Sequence, residues 1–242
     1  MDPRYDRQVG LPGFGPVVQS RLGAATVLVI GAGGLAAALL TYLAAAGVGR
    51  LRLVDDDLVD ATNLARQVLY GPHDCGQPKV TVAADRLARL NPDVVVEAIA
   101  ARATAETLPG LLRGVDVVAD CSDNLATRTA VNRACLTAGC ADVWATIGAW
   151  SGRCAVVAPG AGPCFECVFG QMDDAASPEP APVFGPVAGL TGALQAGEVI
   201  KVIGGVGQPL IGRLALVDAR NAELTTTAVV RDPACPACGG VH

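Results

Sequence analysis

The chain has 242 residues, 51% of them apolar but only 4% aromatic, and a formal net charge of −5. That length can bury a full core, most simply as one large domain built on Ala, Val and Leu. The negative balance disfavours nonspecific binding to nucleic acid or anionic membranes as the main activity, a local basic patch aside. The charged start Met1-Asp2-Pro3-Arg4-Tyr5-Asp6-Arg7 does not read as a secretory signal, and a cytoplasmic location is expected.

Residues 1–24 are polar and glycine-rich and read as a peripheral arm or short helix. Thr26-Val27-Leu28-Val29-Ile30 is short, uninterrupted and β-branched, as a strand covered on both faces of a parallel sheet should be. Gly31-Ala32-Gly33-Gly34 follows, then the Ala/Leu-rich stretch 35–46, a good helix by propensity. A strand feeding a helix through glycines turns backbone N–H groups and the positive helix end toward an anion. The pattern Gly31-x-Gly33-x-x-Ala36 fits the dinucleotide fingerprint, and a tight turn with no ligand is the plainer alternative. Residues 22–49 carry no charge and are long enough for a membrane span, but the glycines split them and a second strand, 50–54, follows at once, so no span is expected.

The second strand runs into Asp55-Asp56-Asp57, where a carboxylate can accept hydrogen bonds from ribose hydroxyls. Asn63-Leu64-Ala65-Arg66-Gln67 and Gly76-Gln77-Pro78-Lys79 come next, with Pro78 marking the start of a helix through Leu90. A lysine at a helix start opposes the helix dipole, and Arg66 with Lys79 suits a triphosphate better than a nicotinamide dinucleotide. His73 reads as a surface residue. Strands are expected at 94–100, 115–120 and 142–147. The second of these ends in the polar group Cys121-Ser122-Asp123-Asn124, at the end of a strand where open α/β sheets place ligands. A helix over 125–138 carries Arg128 and Arg133. From 153 the pattern is less regular, with a loop at 175–182, a helix at 192–202 and strands at 214–218 and 225–230. The alternation implies a Rossmann-like, doubly wound α/β fold with a mainly parallel sheet.

Nine cysteines in a chain expected to stay in the cytoplasm are not a disulfide framework. Cys75, Cys121, Cys135, Cys140 and Cys154 read as small buried hydrophobes. Cys164, Cys167, Cys235 and Cys238 form two Cys-x-x-Cys pairs, either a thiolate metal set or two unrelated buried or redox pairs.

Taken together, Arg4-Tyr5-Asp6-Arg7-Gln8, Gly31-Ala32-Gly33-Gly34-Leu35, the Asp55 to Asp57 run, Asn63 to Gln67, Gly76 to Lys79, Asp120 to Asn124 and the two cysteine pairs resemble the adenylating family of ubiquitin-activating enzymes. The likeness is to its short bacterial branch of HesA, MoeB and ThiF proteins and covers nearly the whole chain. It implies an enzyme that uses ATP and Mg²⁺ to adenylate the C-terminal Gly-Gly carboxylate of a small ubiquitin-like sulfur-carrier protein, for thiocarboxylate formation. On the matching positions, Gly31, Gly33 and Gly34 would line the nucleotide, with Asp57, Gln67 and Asn124 beside it, and Asp55 would hold the ribose. Asn63, Arg66 and Lys79 would meet the phosphates and Asp123 the magnesium. Arg7 would reach across a two-fold interface, so a homodimer is implied. The four paired cysteines would hold a structural Zn²⁺ that staples the less regular C-terminal part to the sheet. The resemblance further implies one adenylation unit over 1–242, with the arm at 1–24, a nucleotide-binding half at 25–160 and a carrier-binding and zinc half at 161–242.

Some features depart from the family's pattern. The loop 175–182 has no cysteine, which puts a covalent loop-cysteine intermediate in doubt, and Ala36 replaces a usual glycine. No sulfurtransferase domain follows His242, so a separate sulfur donor protein is expected, and the terminal Cys238-Gly239-Gly240-Val241-His242 reads as a tail beside the zinc. Adenylation of a peptide or small-molecule carboxylate in a natural-product pathway is the second enzymatic reading. A non-catalytic nucleotide-binding scaffold is a third, and nicotinamide-linked oxidoreduction leaves Arg66, Gln67 and Lys79 without a role.

Overall fold

The structure, a computed structural model, describes residues 2–170 and 182–239. Among these, eight strands form one sheet in the order β3-β2-β1-β4-β5-β6-β7-β8. The first five are β1 (Thr26–Ile30), β2 (Arg50–Val54), β3 (Val95–Ile99), β4 (Val117–Asp120) and β5 (Ala141–Gly148), all parallel. β6 (Ser151–Val157), β7 (Arg213–Asp218) and β8 (Glu223–Ala228) then add an antiparallel meander. The parallel part is thus doubly wound, and it reverses direction between β1 and β4.

Helices cover both faces. α2 (Gly15–Ala24), α3 (Gly34–Ala45), α4 (Lys79–Leu90) and α8 (Gly185–Gly204) enclose a core with Val27, Val29, Leu51, Leu53, Ala119 and Val143. On the other face α5 (Leu108–Leu111) and α6 (Leu125–Ala138) cover Leu28, Ile30, Val54 and Val118. β1 sits at the centre with Val27, Leu28 and Val29 fully buried, each contributing roughly 1.5–3 kcal/mol by leaving water. That two-sided burial is why the strand reads as an unbroken apolar run.

Three segments differ from the sequence reading. The supposed arm contains α1 (Asp6–Val9) and α2, and its Tyr5, Val18 and Leu22 are buried; Pro16 in the first turn of α2 is a helix-start signal masked by the surrounding glycines. α8 begins at Gly185 rather than 192, because its glycines are packing residues: a Cβ on Gly192 would stand 2.3 Å from the Leu35 carbonyl oxygen. Cys75 is exposed in a Pro/Gly loop instead of buried, whereas Cys121, Cys135, Cys140 and Cys154 are buried as expected. The cysteine-free stretch of the 175–182 loop up to residue 181, and residues 240–242 of the tail, lie outside the described residues. No helix among the described residues is long and apolar enough to cross a membrane.

Candidate nucleotide site and cysteine cluster

The sheet register builds the site. Ile30 pairs with Val54 on one side and Asp120 on the other, so Gly31, Asp55 and Cys121 leave three adjacent strands at one level. This is the carboxyl edge at the reversal of strand order, where open α/β sheets leave a crevice. Gly31 has φ +90°, and a Cβ there would lie 3.0 Å from the Cys121 carbonyl oxygen, so glycine is required on two counts. Gly33 caps α3, whose first N–H groups have no partner within the helix.

Asp55 braces the loop. Its carboxylate accepts from the Ala32 N–H at 2.6 Å and the Asp57 N–H at 2.7 Å, leaving its remaining lone pairs for a hydroxyl. Burial raises its pKa and the two N–H donors pull it back. From the other side the buried Tyr70 hydroxyl donates to the Ala32 carbonyl at 2.7 Å.

The two predicted cations reach this loop by different routes. Arg66 packs on it directly: a Cβ on Gly34 would meet the Arg66 carbonyl oxygen at 3.3 Å and its Cγ at 3.4 Å. Gln67 lies behind Gly33, is 3% exposed, and its Oε1 has no hydrogen-bond partner among the described residues. Lys79 opens α4 and is buried, and its ammonium donates to Asp57 at 2.7 Å. Hydrogen bonds therefore run from Ala32 through Asp55 and Asp57 to Lys79. Asn63 is half-buried one turn before Arg66. Asp123 is exposed at the end of β4, and Asn124 caps α6 by accepting from the Thr127 N–H at 2.9 Å.

Arg7 is not brought to this loop. It lies on exposed α1, whose neighbour Gln8 donates to the Ala46 carbonyl at 2.8 Å, past the far end of α3. Twelve helical residues separate the two ends, about 18 Å.

Against β5, β6 and β7, beside α6, Cys164, Cys167, Cys235 and Cys238 converge, with all four sulfurs within 4.8 Å of one another. The Sγ contacts are 3.8, 3.6 and 3.4 Å. A tetrahedral ion with 2.3 Å bonds to sulfur needs edges of about 3.8 Å, so the set fits Zn²⁺. Burial pushes the Cys164 thiol up, an unfavourable setting for a bare thiolate that a cation would offset. Glu166, buried within the first pair, is clasped by Arg133 at 2.9 Å through both oxygens and by Asn132 at 3.2 Å, which ties this knuckle to α6. Trp144 packs edge-on against Phe165 at 5.3 Å beneath it.

Sequence reasoning found the glycine loop, both cations and the thiol set. It missed Tyr70 and Gln195, whose amide donates to the Asp120 and Val143 carbonyls at 3.0 and 2.8 Å. Neither stands in a motif, and only three-dimensional packing gives them partners.

Known proteins are similar to this chain in sequence and in fold. A sulfur carrier protein adenylyltransferase of Thermus thermophilus is 44% identical over 247 residues, covering 98% of this chain and 90% of that protein. The adenylyltransferase and sulfurtransferase MOCS3 of Bos taurus is 48% identical over 98% of this chain, which spans 53% of that longer protein. The solved structure of E. coli MccB with MccA-N7isoASN matches with TM-score 0.87 at 26% identity, over 99% of this chain and 75% of MccB. The family model described as ThiF matches residues 5–237, so nearly the whole chain, from the buried Tyr5 to the second cysteine pair, belongs to the ThiF family.

Proposed function

We propose that the chain is an ATP-dependent adenylyltransferase that activates the C-terminal Gly-Gly carboxylate of a small ubiquitin-like sulfur-carrier protein. In the reaction a carboxylate oxygen attacks the α-phosphorus, the bond to the β-phosphate breaks, and pyrophosphate leaves with the electron pair. The product is an acyl-adenylate ready for thiocarboxylate formation with a separate sulfur donor protein. The nucleophile is already ionised, so the site needs positive charge and N–H donors rather than a general base. The observation that most supports this reading is the packing of Arg66 against the first residue of α3, its carbonyl oxygen and Cγ 3.3 and 3.4 Å from where a Cβ on Gly34 would stand, while its guanidinium donates to the Thr62 carbonyl at 3.2 Å.

In this reading Gly31, Gly33 and Gly34 admit the nucleotide, Asp55 holds the ribose, and Asn63, Arg66 and Lys79 bind phosphate oxygens. Gln67, whose Oε1 has no hydrogen-bond partner among the described residues, and Asn124 complete the lining. Asp123 is an exposed hard-oxygen ligand at the strand end, the type Mg²⁺ takes together with phosphates. Bound there, the ion would neutralise charge on the departing pyrophosphate. Zn²⁺ on the four cysteines would be structural, its coordination closed by protein thiolates.

Arg7 acts in a partner's site in this proposal. It lies about a helix length from its own glycine loop, and Leu11, Val17, Tyr42 and Leu190 are exposed on the α2, α3 and α8 side. These apolar side chains suit a homodimer interface. One adenylation unit spans the chain, with residues 161–242 supplying the carrier-binding and zinc half, and a cytoplasmic location suits its free thiols.

Adenylation of a peptide carboxylate is the second reading, favoured by the likeness to MccB solved with an MccA-derived ligand. ATP–pyrophosphate exchange with Mg²⁺ tests both. Exchange that appears only with a protein ending in Gly-Gly supports the carrier reading, and exchange only with a peptide or small carboxylate supports the second. ATP binding without exchange on any of them points to a scaffold.

A further inference from the structure

Arg128 is a charged side chain that the reaction does not use, yet it is only 7% exposed. It stands one turn into α6 and divides its guanidinium between two backbones: one nitrogen donates to the Ala145 carbonyl of β5 at 2.8 Å, another to the Ser122 carbonyl. Ser122 is also held from its other side. Its N–H and hydroxyl donate to the Asp120 carboxylate at 2.8 and 2.6 Å. Cys121 N–H is fixed to the Ile30 carbonyl at 2.9 Å, and the Asp120 carbonyl accepts from Gln195 at 3.0 Å. The backbone of 120–122 is thus fastened from β1, β5, α6 and α8, and Asp123, the next residue, emerges exposed.

The buried guanidinium offsets the Asp120 and Asp142 carboxylates beside it, a service that any cation of the same reach would supply. What a lysine lacks is a fork that fixes two carbonyls in direction as well as distance. The same carbonyl segment backs the glycine loop, because Gly31 rests on Cys121 and on the Ser122 nitrogen.

We propose that Arg128 is a positioning residue of the adenylation site, holding residues 120–122 so that Asp123 stands where the magnesium ion of a bound nucleotide needs a carboxylate. This rests on the adenylation reading. Arg128 touches neither nucleotide nor metal, and acts through Ser122.

The test is calorimetric titration of ATP with and without Mg²⁺, together with thermal melting, on the unmodified chain and on Arg128→Lys. Lysine keeps the charge but cannot hold two carbonyls at once. Arg128→Lys should bind ATP alone about as well as the unmodified chain, but need roughly 10–100-fold more Mg²⁺ for half-saturation, as loss of an outer-shell partner does. Glu198→Gln is the control for general destabilisation: Glu198 is buried as well and accepts from the Leu210 N–H at 2.7 Å, with no hydrogen bond to residues 120–122 among those described. It should lower the melting temperature and leave the Mg²⁺ response unchanged. An unaltered Mg²⁺ half-saturation in folded Arg128→Lys overturns the proposal. If that variant does not fold, Asp120→Ala, which removes the acceptor of both Ser122 donors, reads the other arm of the clamp, with the same Mg²⁺-specific loss expected and the same overturning result. An unmodified chain that binds no ATP at all rejects the adenylation reading itself, a result distinct from either.

Discussion

Lys79 and Asp57 form an ion pair of 2.7 Å in which the lysine side chain is 5% exposed and the aspartate 67%. The asymmetry makes the two halves report different things. Lys79→Ala leaves a carboxylate that water solvates, so the fold should persist while pyrophosphate exchange falls about 100–1000-fold, the usual effect of removing a charge-stabilising donor. Asp57→Asn leaves a buried ammonium without its counter-charge and should lower stability to urea by about 1–3 kcal/mol, less than for a fully buried pair because Asp57 is solvated. Exchange retained in folded Lys79→Ala removes that residue from the reaction.

Two glycines should separate binding from stability in the same way. A Cβ on Gly34 would meet Ala188 Cβ at 3.1 Å and Arg66 at 3.3 to 3.4 Å, contacts that yield with a shift of a few tenths of an ångström. Gly34→Ala should therefore displace Arg66 and raise the ATP KM about tenfold, a shift of about 1.4 kcal/mol, with little change in melting. Gly192→Ala would drive a methyl to 2.3 Å from the Leu35 carbonyl oxygen, where α3 and α8 cross. Overpacking there should destabilise by about 3 kcal/mol, lowering the melting temperature by roughly 6–12 °C in a chain of this size. Equal melting temperatures for the two variants would contradict the close crossing.

Metal analysis is the direct check on the thiol cluster. The chain purified from zinc-replete cells should hold one Zn²⁺, and Cys238→Ser should lose it and melt at lower temperature, because a closed thiolate site contributes directly to folding. Glu166→Gln should keep the metal but release it faster to a chelator, since the clasp by Arg133 and Asn132 is weakened when the carboxylate loses its charge. A zinc-free chain with an unchanged melting curve would leave the cluster as reduced thiols.

What the sequence displays and what it hides follow from distance along the chain. Gly31 is legible because a backbone at φ +90° has few other residues to choose, Gly34 because Ala188 and Arg66 approach it closely, and the Cys-x-x-Cys pairs because a metal fixes their spacing. The parallel core is legible because both faces of β1 are buried. Lys79 is legible as a cation but not its hold on Asp57, 22 residues away, which appears only when the segment after β2 meets the start of α4. The first turns of α8 are hidden because Gly185 and Gly189 resemble a loop, whereas Gly185 packs against the Ala65 carbonyl and Gly192 lets the helix cross α3 closely. Arg128 reads as one more helix arginine; only the return of β5 beside β4 gives its two nitrogens their carbonyls.

Asp142 carries the last prediction. It lies on β5, 1% exposed, with one carboxylate oxygen unpartnered among the described residues. Burial raises its pKa well above 3.8, the nearby Asp120 carboxylate raises it further, and the Arg128 guanidinium opposes both only in part. The folded chain therefore binds this proton more tightly than the unfolded chain does. Stability changes with pH in proportion to protons bound unfolded minus protons bound folded, which is negative here, so this group removes stability as pH rises above about 4 toward its folded pKa. Asp142→Asn mimics the protonated form and should be progressively more stable than the unmodified chain across that range, by up to about 1.4 kcal/mol per pH unit. Urea unfolding at several values between pH 4 and 8 reads the difference. Parallel curves for the two proteins would mean that Asp142 ionises in the folded chain as it does in water.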